Sequence, residues 1–126
     1  MPDSIKGLTI IWEQFEAHTA PNRLVFEMAL VQRALGGRVT LFVTGHAVAH
    51  LKQAATKRDQ LIPKLVGVPQ MHTLLAEVLD SGARVIVCQT AAASQKMAMD
   101  TLDPRIEAGG LVSLMQGLGD DRLVVI

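Results

Sequence analysis

The chain has 126 residues with 12 Lys+Arg against 12 Asp+Glu, so its formal charge is zero; 49% of it is hydrophobic and the mean hydropathy is +0.30. Zero charge argues against a sequence-independent nucleic-acid binder, which needs a cationic footprint, and against a polybasic membrane anchor. One cysteine excludes an internal disulfide and a thiolate zinc or iron–sulfur site within one chain.

Short β-branched runs alternate with longer helical stretches. Gly7-Leu-Thr-Ile-Ile-Trp12 reads as a buried strand. Pro21 stands where a helix tolerates its first residue. Leu24, Val25, Met28, Ala29, Val31, Gln32 and Leu35 carry a helical period, with Gly36-Gly37 as its stop. Arg38-Val-Thr-Leu-Phe-Val43 is a second strand, and after Thr44-Gly45 a short helical pattern covers residues 46–52. Residues 53–69, with Lys57, Arg58, Lys64, Pro63 and Gly67, read as a loop-like excursion with a solvated basic surface. Met71, Leu74, Leu75, Val78 and Leu79 predict a helix that stops at Ser81-Gly82.

Ala83-Arg-Val-Ile-Val-Cys88 is a third strand, apolar enough for a sheet covered on both faces. Thr90 is positioned to cap a helix to about Met99, ended by Asp103-Pro104. Residues 105–108 predict a short fourth strand. Leu111, Leu114, Met115 and Leu118 predict a last helix, and Arg122-Leu-Val-Val-Ile126 a final strand. Gly36-Gly37 and Gly109-Gly110 read as turn glycines, and Met97, Met99 and Met115 as core filler. Strand–helix alternation predicts parallel pairing with right-handed crossovers. The expected fold class is α/β: a three-layer α/β/α, flavodoxin-like domain over residues 1–126, with a mostly parallel sheet of about five strands. No signal-peptide h-region and no membrane-length apolar run is visible, so a cytoplasmic location with no membrane contact is expected. A neutral, apolar-rich surface favours self-association, so a homo-oligomer is expected.

Open parallel sheets gather ligands beyond the carboxyl ends of their strands. There the first strand delivers Trp12 and, further on, His18; the second delivers Thr44, Gly45 and His46; the third delivers Cys88, Gln89 and Thr90. Cys88 ends a strand and precedes a helix, whose free N–H groups and dipole favour a thiolate, the nucleophilic form of cysteine. A free cysteine is also a common core residue, so position alone leaves it reactive or inert. His46 as a neighbour of Cys88 would further favour the thiolate, and His18 has a similar claim. Trp12 suits a pocket wall or an oligomer contact. His46 and His50, four residues apart, lack the carboxylate that a metal pair needs, so no metal is expected. The phosphate-cradle motifs G-x-x-x-x-G-K-[ST] and G-x-G-x-x-G and the hydrolase elbow G-x-S-x-G are absent.

Three ordered strings resemble one family. Val39-Thr-Leu-Phe-Val-Thr-Gly-His-Ala-Val-Ala-His-Leu-Lys52 is similar to its second strand, turn and leucine-bearing helix. Ala83-Arg-Val-Ile-Val-Cys-Gln89 is similar to its cysteine strand, and Ile106-Glu-Ala-Gly-Gly-Leu111 to its V-E-x-G-G-hydrophobic segment. Over residues 7–126 the chain resembles the DsrE/DsrF-like sulfur-transfer proteins, in particular the branch called predicted peroxiredoxins. The resemblance implies a five-stranded α/β/α sheet and a homo- or hetero-oligomer, often a trimer or hexamer. It also implies sulfur held as a persulfide on Cys88 and exchanged with a small sulfur-carrier protein, without an organic cofactor. The other readings of the same fold are a module holding a small anionic ligand at helix N-termini and a structural subunit with an inert cysteine.

Overall fold

Five short apolar runs form one sheet. They are β1 (Leu8–Trp12), β2 (Val39–Val43), β3 (Arg84–Cys88), β4 (Glu107–Gly109) and β5 (Arg122–Val125), in the order β4-β3-β2-β1-β5. Every neighbouring pair is parallel. The computed structural model describes residues 5–13, 20–51 and 71–126. The 53–69 excursion and His18 lie outside the described residues. β-Branched side chains suit the central strands because both faces are covered; Ile10, Leu41, Val43, Val85 and Val87 are fully buried.

The helices are α1 (Ala20–Ala34), α2 (Met71–Asp80), α3 (Gln89–Ser94) and α4 (Leu111–Gln116), with 3-10 segments at Gly45–Leu51 and Met99–Thr101. The chain steps from β1 through β2 and β3 to β4 in one direction and then returns to β5 beside β1. Right-handed crossovers therefore put α1, α2 and α3 on one face and α4 on the other. The two apolar clusters follow this division. The large one joins Val25, Phe26 and Ala29 of α1, Leu74 and Val78 of α2 and Ala91 and Ala92 of α3 to the sheet. The small one is Phe42, Ile86 and Leu114, with Ile11 and Cys88 packed against it. Among the described residues the three layers are thus unequal: one sheet face carries three helices and a 3-10 segment, the other a single six-residue helix.

Several elements differ from their sequence expectation. The helix predicted from Thr90 to Met99 ends at Ser94. Lys96 N–H donates to Ala93 O at 3.0 Å and Met97 N–H to Ala92 O at 2.9 Å, a paired closure that turns the chain back so that Met97 packs on the core. Thr90 lies inside the helix and the N-cap is Cys88. The segment after Gly45 is 3-10, burying Ala47, Val48 and Leu51. Gly109 and Gly110 are not turn glycines: the first ends β4 and the second is the N-cap of α4. β4 starts at Glu107 because Arg105 is held away by Asp103 and Asp80, at 2.9 and 2.7 Å. Met99 and Met115 are exposed, as are Leu24, Val31 and Leu35 of the predicted α1 stripe, whose buried side is set by Val25, Phe26, Ala29 and Gln32.

The closure of α3 gives a simple expectation. Lys96 adopts φ 53, a conformation that costs a residue with a Cβ but not glycine. Lys96→Gly should raise stability by about 0.5–1 kcal/mol, read as a higher thermal midpoint. A lower midpoint would show that the lysine side chain compensates its own backbone.

Candidate active site

Cys88 is the last residue of β3 and pairs with Gly109 of β4. Side chains alternate along a strand. Ile86 belongs to the cluster under α4, so Cys88, two residues on, shares its face; the thiol is half-buried and touches both apolar clusters. It forms no side-chain capping bond to α3. Gly109 has no side chain, and a Cβ there would come within 2.9 Å of Ile86 Cγ2. A Cβ on Gly110 would meet nothing within 4 Å. The strand partner of the cysteine is therefore followed by open space.

Across the sheet, Gly45 turns the end of β2 with φ +56. A Cβ there would lie 2.7 Å from Glu13 Cγ, so the turn needs both the left-handed backbone and the missing side chain. Ala47 N–H donates to Glu13 O at 3.2 Å and Thr44 N–H to Trp12 O at 2.9 Å, tying this turn to the end of β1. Gln95, just past α3, donates from Nε2 to Gly45 O at 2.6 Å and ties it to the helix that follows Cys88. Gln95 escaped the sequence reading because its partner is 50 residues away.

The other site residues predicted from sequence scatter. Gln89 and Thr90 are exposed in the first turn of α3. His46 is exposed beside Gly45, and among the described residues no hydrogen bond joins it to Cys88. Trp12 is fully buried rather than lining a pocket. Its ring meets Phe26 edge-on at 5.2 Å and stacks on His50 at 5.2 Å, while its Nε1 is buried without a hydrogen-bond partner among the described residues. The correction has a plain cause: Trp12 falls on the heavily covered face of β1, with Ile10 and Leu8. His46 and His50 are divided between solvent and this stack, and among the described residues no three His, Cys, Asp or Glu side chains converge as a metal site.

A cavity of about 500 Å3 that no motif signals lies between the sheet and α4. Its lining includes Thr9, Thr40, Ile86, Gly109, Gly110, Ser113 and Leu114, with Arg33, Arg38 and Arg84 at the amino ends of the strands. Its wall is partly fixed by Arg84, whose Nε and Nη2 donate to the two Glu107 oxygens at 2.8 and 3.0 Å. These bonds hold the Glu107 carboxyl below its usual range. A depressed carboxylate contributes stability above its unfolded pKa and loses it as pH falls through the lowered value. Both groups are about half exposed, so Arg84→Gln should cost only about 0.5 kcal/mol near neutral pH. Urea midpoints of the two proteins should converge as pH falls through the lowered Glu107 value; a gap independent of pH would mean that packing, not charge, is lost.

No helix among the described residues is long and apolar enough to cross a membrane. No curated protein matches the chain by sequence. Several solved structures share the fold, three of them as follows. The ychN protein from E. coli is 17% identical with a TM-score of 0.69, covering 97% of this chain and 100% of its own. The conserved protein of unknown function BT1422 from Bacteroides thetaiotaomicron is 20% identical with a TM-score of 0.69, covering 96% and 95%. The protein of unknown function MTH1491 from Methanobacterium thermoautotrophicum is 12% identical with a TM-score of 0.64, covering 98% and 100%. The model of the DsrE/DsrF-like family matches residues 9–125, nearly the whole chain, and the chain belongs to that family.

Proposed function

We propose that this protein is a sulfur carrier that holds sulfur as a persulfide on Cys88 and exchanges it with partner thiols. Family membership points to a sulfur-relay role. The observation that carries the finer reading is the setting of Cys88: half-buried at a strand end, with side-chain-free Gly109 beside it and open space at Gly110. A persulfide needs room for a second sulfur atom, and the missing side chain at Gly109 beside the cysteine supports that reading.

The step is thiol exchange. The Cys88 thiolate attacks the outer sulfur of a donor persulfide R–S–SH. The new bond joins Cys88 Sγ to that sulfur, the donor S–S bond breaks, and its electron pair leaves on R–S⁻; the outer sulfur keeps its proton. An acceptor thiolate, on a small carrier protein in this reading, repeats the attack on the Cys88 persulfide and releases the Cys88 thiolate. No external oxidant or reductant is consumed. Incubation with polysulfide should add sulfur to the intact mass of the wild type and none to Cys88→Ser. An adduct that persists in Cys88→Ser overturns the reading.

The same proposal includes self-association. Leu111, Val112 and Met115 on α4 and Leu123 and Val125 on β5 are exposed on the thinly covered sheet face, Val112 at 72%. Such a face is a natural interface for further copies of the chain. Val112→Asp should lower the sedimenting mass while leaving the fold intact; an unchanged mass would place the interface elsewhere.

A further inference from the structure

We propose, resting on the sulfur-carrier reading above, that the donor is a low-molecular-weight anionic persulfide seated in the cavity beneath α4, with its anionic end at Arg33 and its outer sulfur at Cys88. The cavity volume, about 500 Å3, lies within the range of small-molecule sites. The cavity runs along the sheet face that Cys88 shares. Ile86 precedes the cysteine by two residues and Gly109 pairs with it; both line the cavity, as does Gly110. Cys88 itself does not line the cavity, but Gly109, its partner across the strands, does, so one end of the cavity lies beside the cysteine.

The other end carries the charge. Arg38 is paired with Asp121 at 2.9 Å and Arg84 with Glu107 at 2.8 Å. Arg33 differs: its Nε donates to Ser81 O at 2.8 Å and its Nη1 to Gly37 O at 3.2 Å, both neutral carbonyls. Among the described residues it forms no ion pair, so a half-buried guanidinium is held in place without a counter-charge. A Cβ on Gly82 would lie 3.0 Å from Arg33 Nη2, so the glycine keeps that nitrogen approachable. A fixed guanidinium with free N–H donors matches a carboxylate. From Arg84, beside this end, to Cys88 the strand spans roughly 13 Å at about 3.3 Å per residue. The donor is therefore an extended thiol of about tripeptide length, with its carboxylate remote from its sulfur.

The test uses S-methylglutathione, an unreactive probe of that length, titrated by NMR against Cys88→Ser, and the diethyl ester of the same probe, which keeps the length and loses the carboxylates. Saturable binding of the free acid is expected, about five- to tenfold tighter than the ester and weaker in high salt. Arg33→Gln should remove the difference. Because Arg33 also ties down two carbonyls, Ser113→Phe provides a second variant that fills the cavity from an exposed position of α4; it should weaken binding of the acid by at least as much. Equal binding of acid and ester, or binding unchanged in both variants, overturns the proposal. Loading rates separate it from the reading beneath it. Glutathione persulfide should load Cys88 faster than its diethyl ester. Equal rates, or no loading from either where polysulfide still loads Cys88, overturn the donor assignment and leave the carrier intact, whereas no loading from either or from polysulfide overturns both.

Discussion

Trp12→Ala is expected to lower the unfolding free energy by about 3–5 kcal/mol, the largest stability effect foreseen for a single substitution. Trp12 is fully buried at the end of β1, where its ring closes the large cluster against Phe26 of α1 and His50 of the 3-10 segment. Truncation opens a cavity in the layer that holds α1, and total stabilities of about 5–15 kcal/mol leave little margin. Trp12→Phe separates ring packing from the polar atom. It keeps an aromatic contact with Phe26 and removes an indole N–H that is buried without a partner among the described residues, a group that itself costs about 1–3 kcal/mol. The phenylalanine variant should therefore stay within about 1.5 kcal/mol of wild type. Urea unfolding measures both. An alanine effect below about 1 kcal/mol would return Trp12 to the surface role expected from sequence.

Cys88→Ser should abolish sulfur loading altogether, because no second cysteine exists to take its place. Serine is nearly isosteric and the position is half-buried, so folding should survive. Loss of loading in a folded protein isolates the chemistry from the scaffold. The same substitution in a merely structural subunit would change neither loading nor assembly.

Much of the fold was legible because the central strands are short apolar runs bounded by glycines and helices. Leu8–Trp12, Val39–Val43 and Arg84–Cys88 stand within a residue or two of their expected bounds. The stop of α3 was hidden because a lysine, not a glycine, takes the left-handed position at 96. Cys88 was legible because strand-end position is local information. Trp12 was misread because both a core face and a pocket wall ask for an apolar side chain at a strand end; only the crossover geometry decides which face it occupies. The cavity and the placement of Arg33 were invisible for the opposite reason. They are assembled from β1 to β4, α1 and α4, and the state of Arg33 depends on Ser81, 48 residues away.

The most direct measurement is a chase. Wild-type protein is loaded with sulfane sulfur, freed of donor, mixed with an acceptor thiol, and both species are followed by intact mass. The added sulfur is expected to sit on Cys88 and then to leave the protein as it appears as a persulfide on the acceptor. Sulfur that never reaches Cys88, or stays there unchanged while the acceptor remains bare, would contradict the carrier reading.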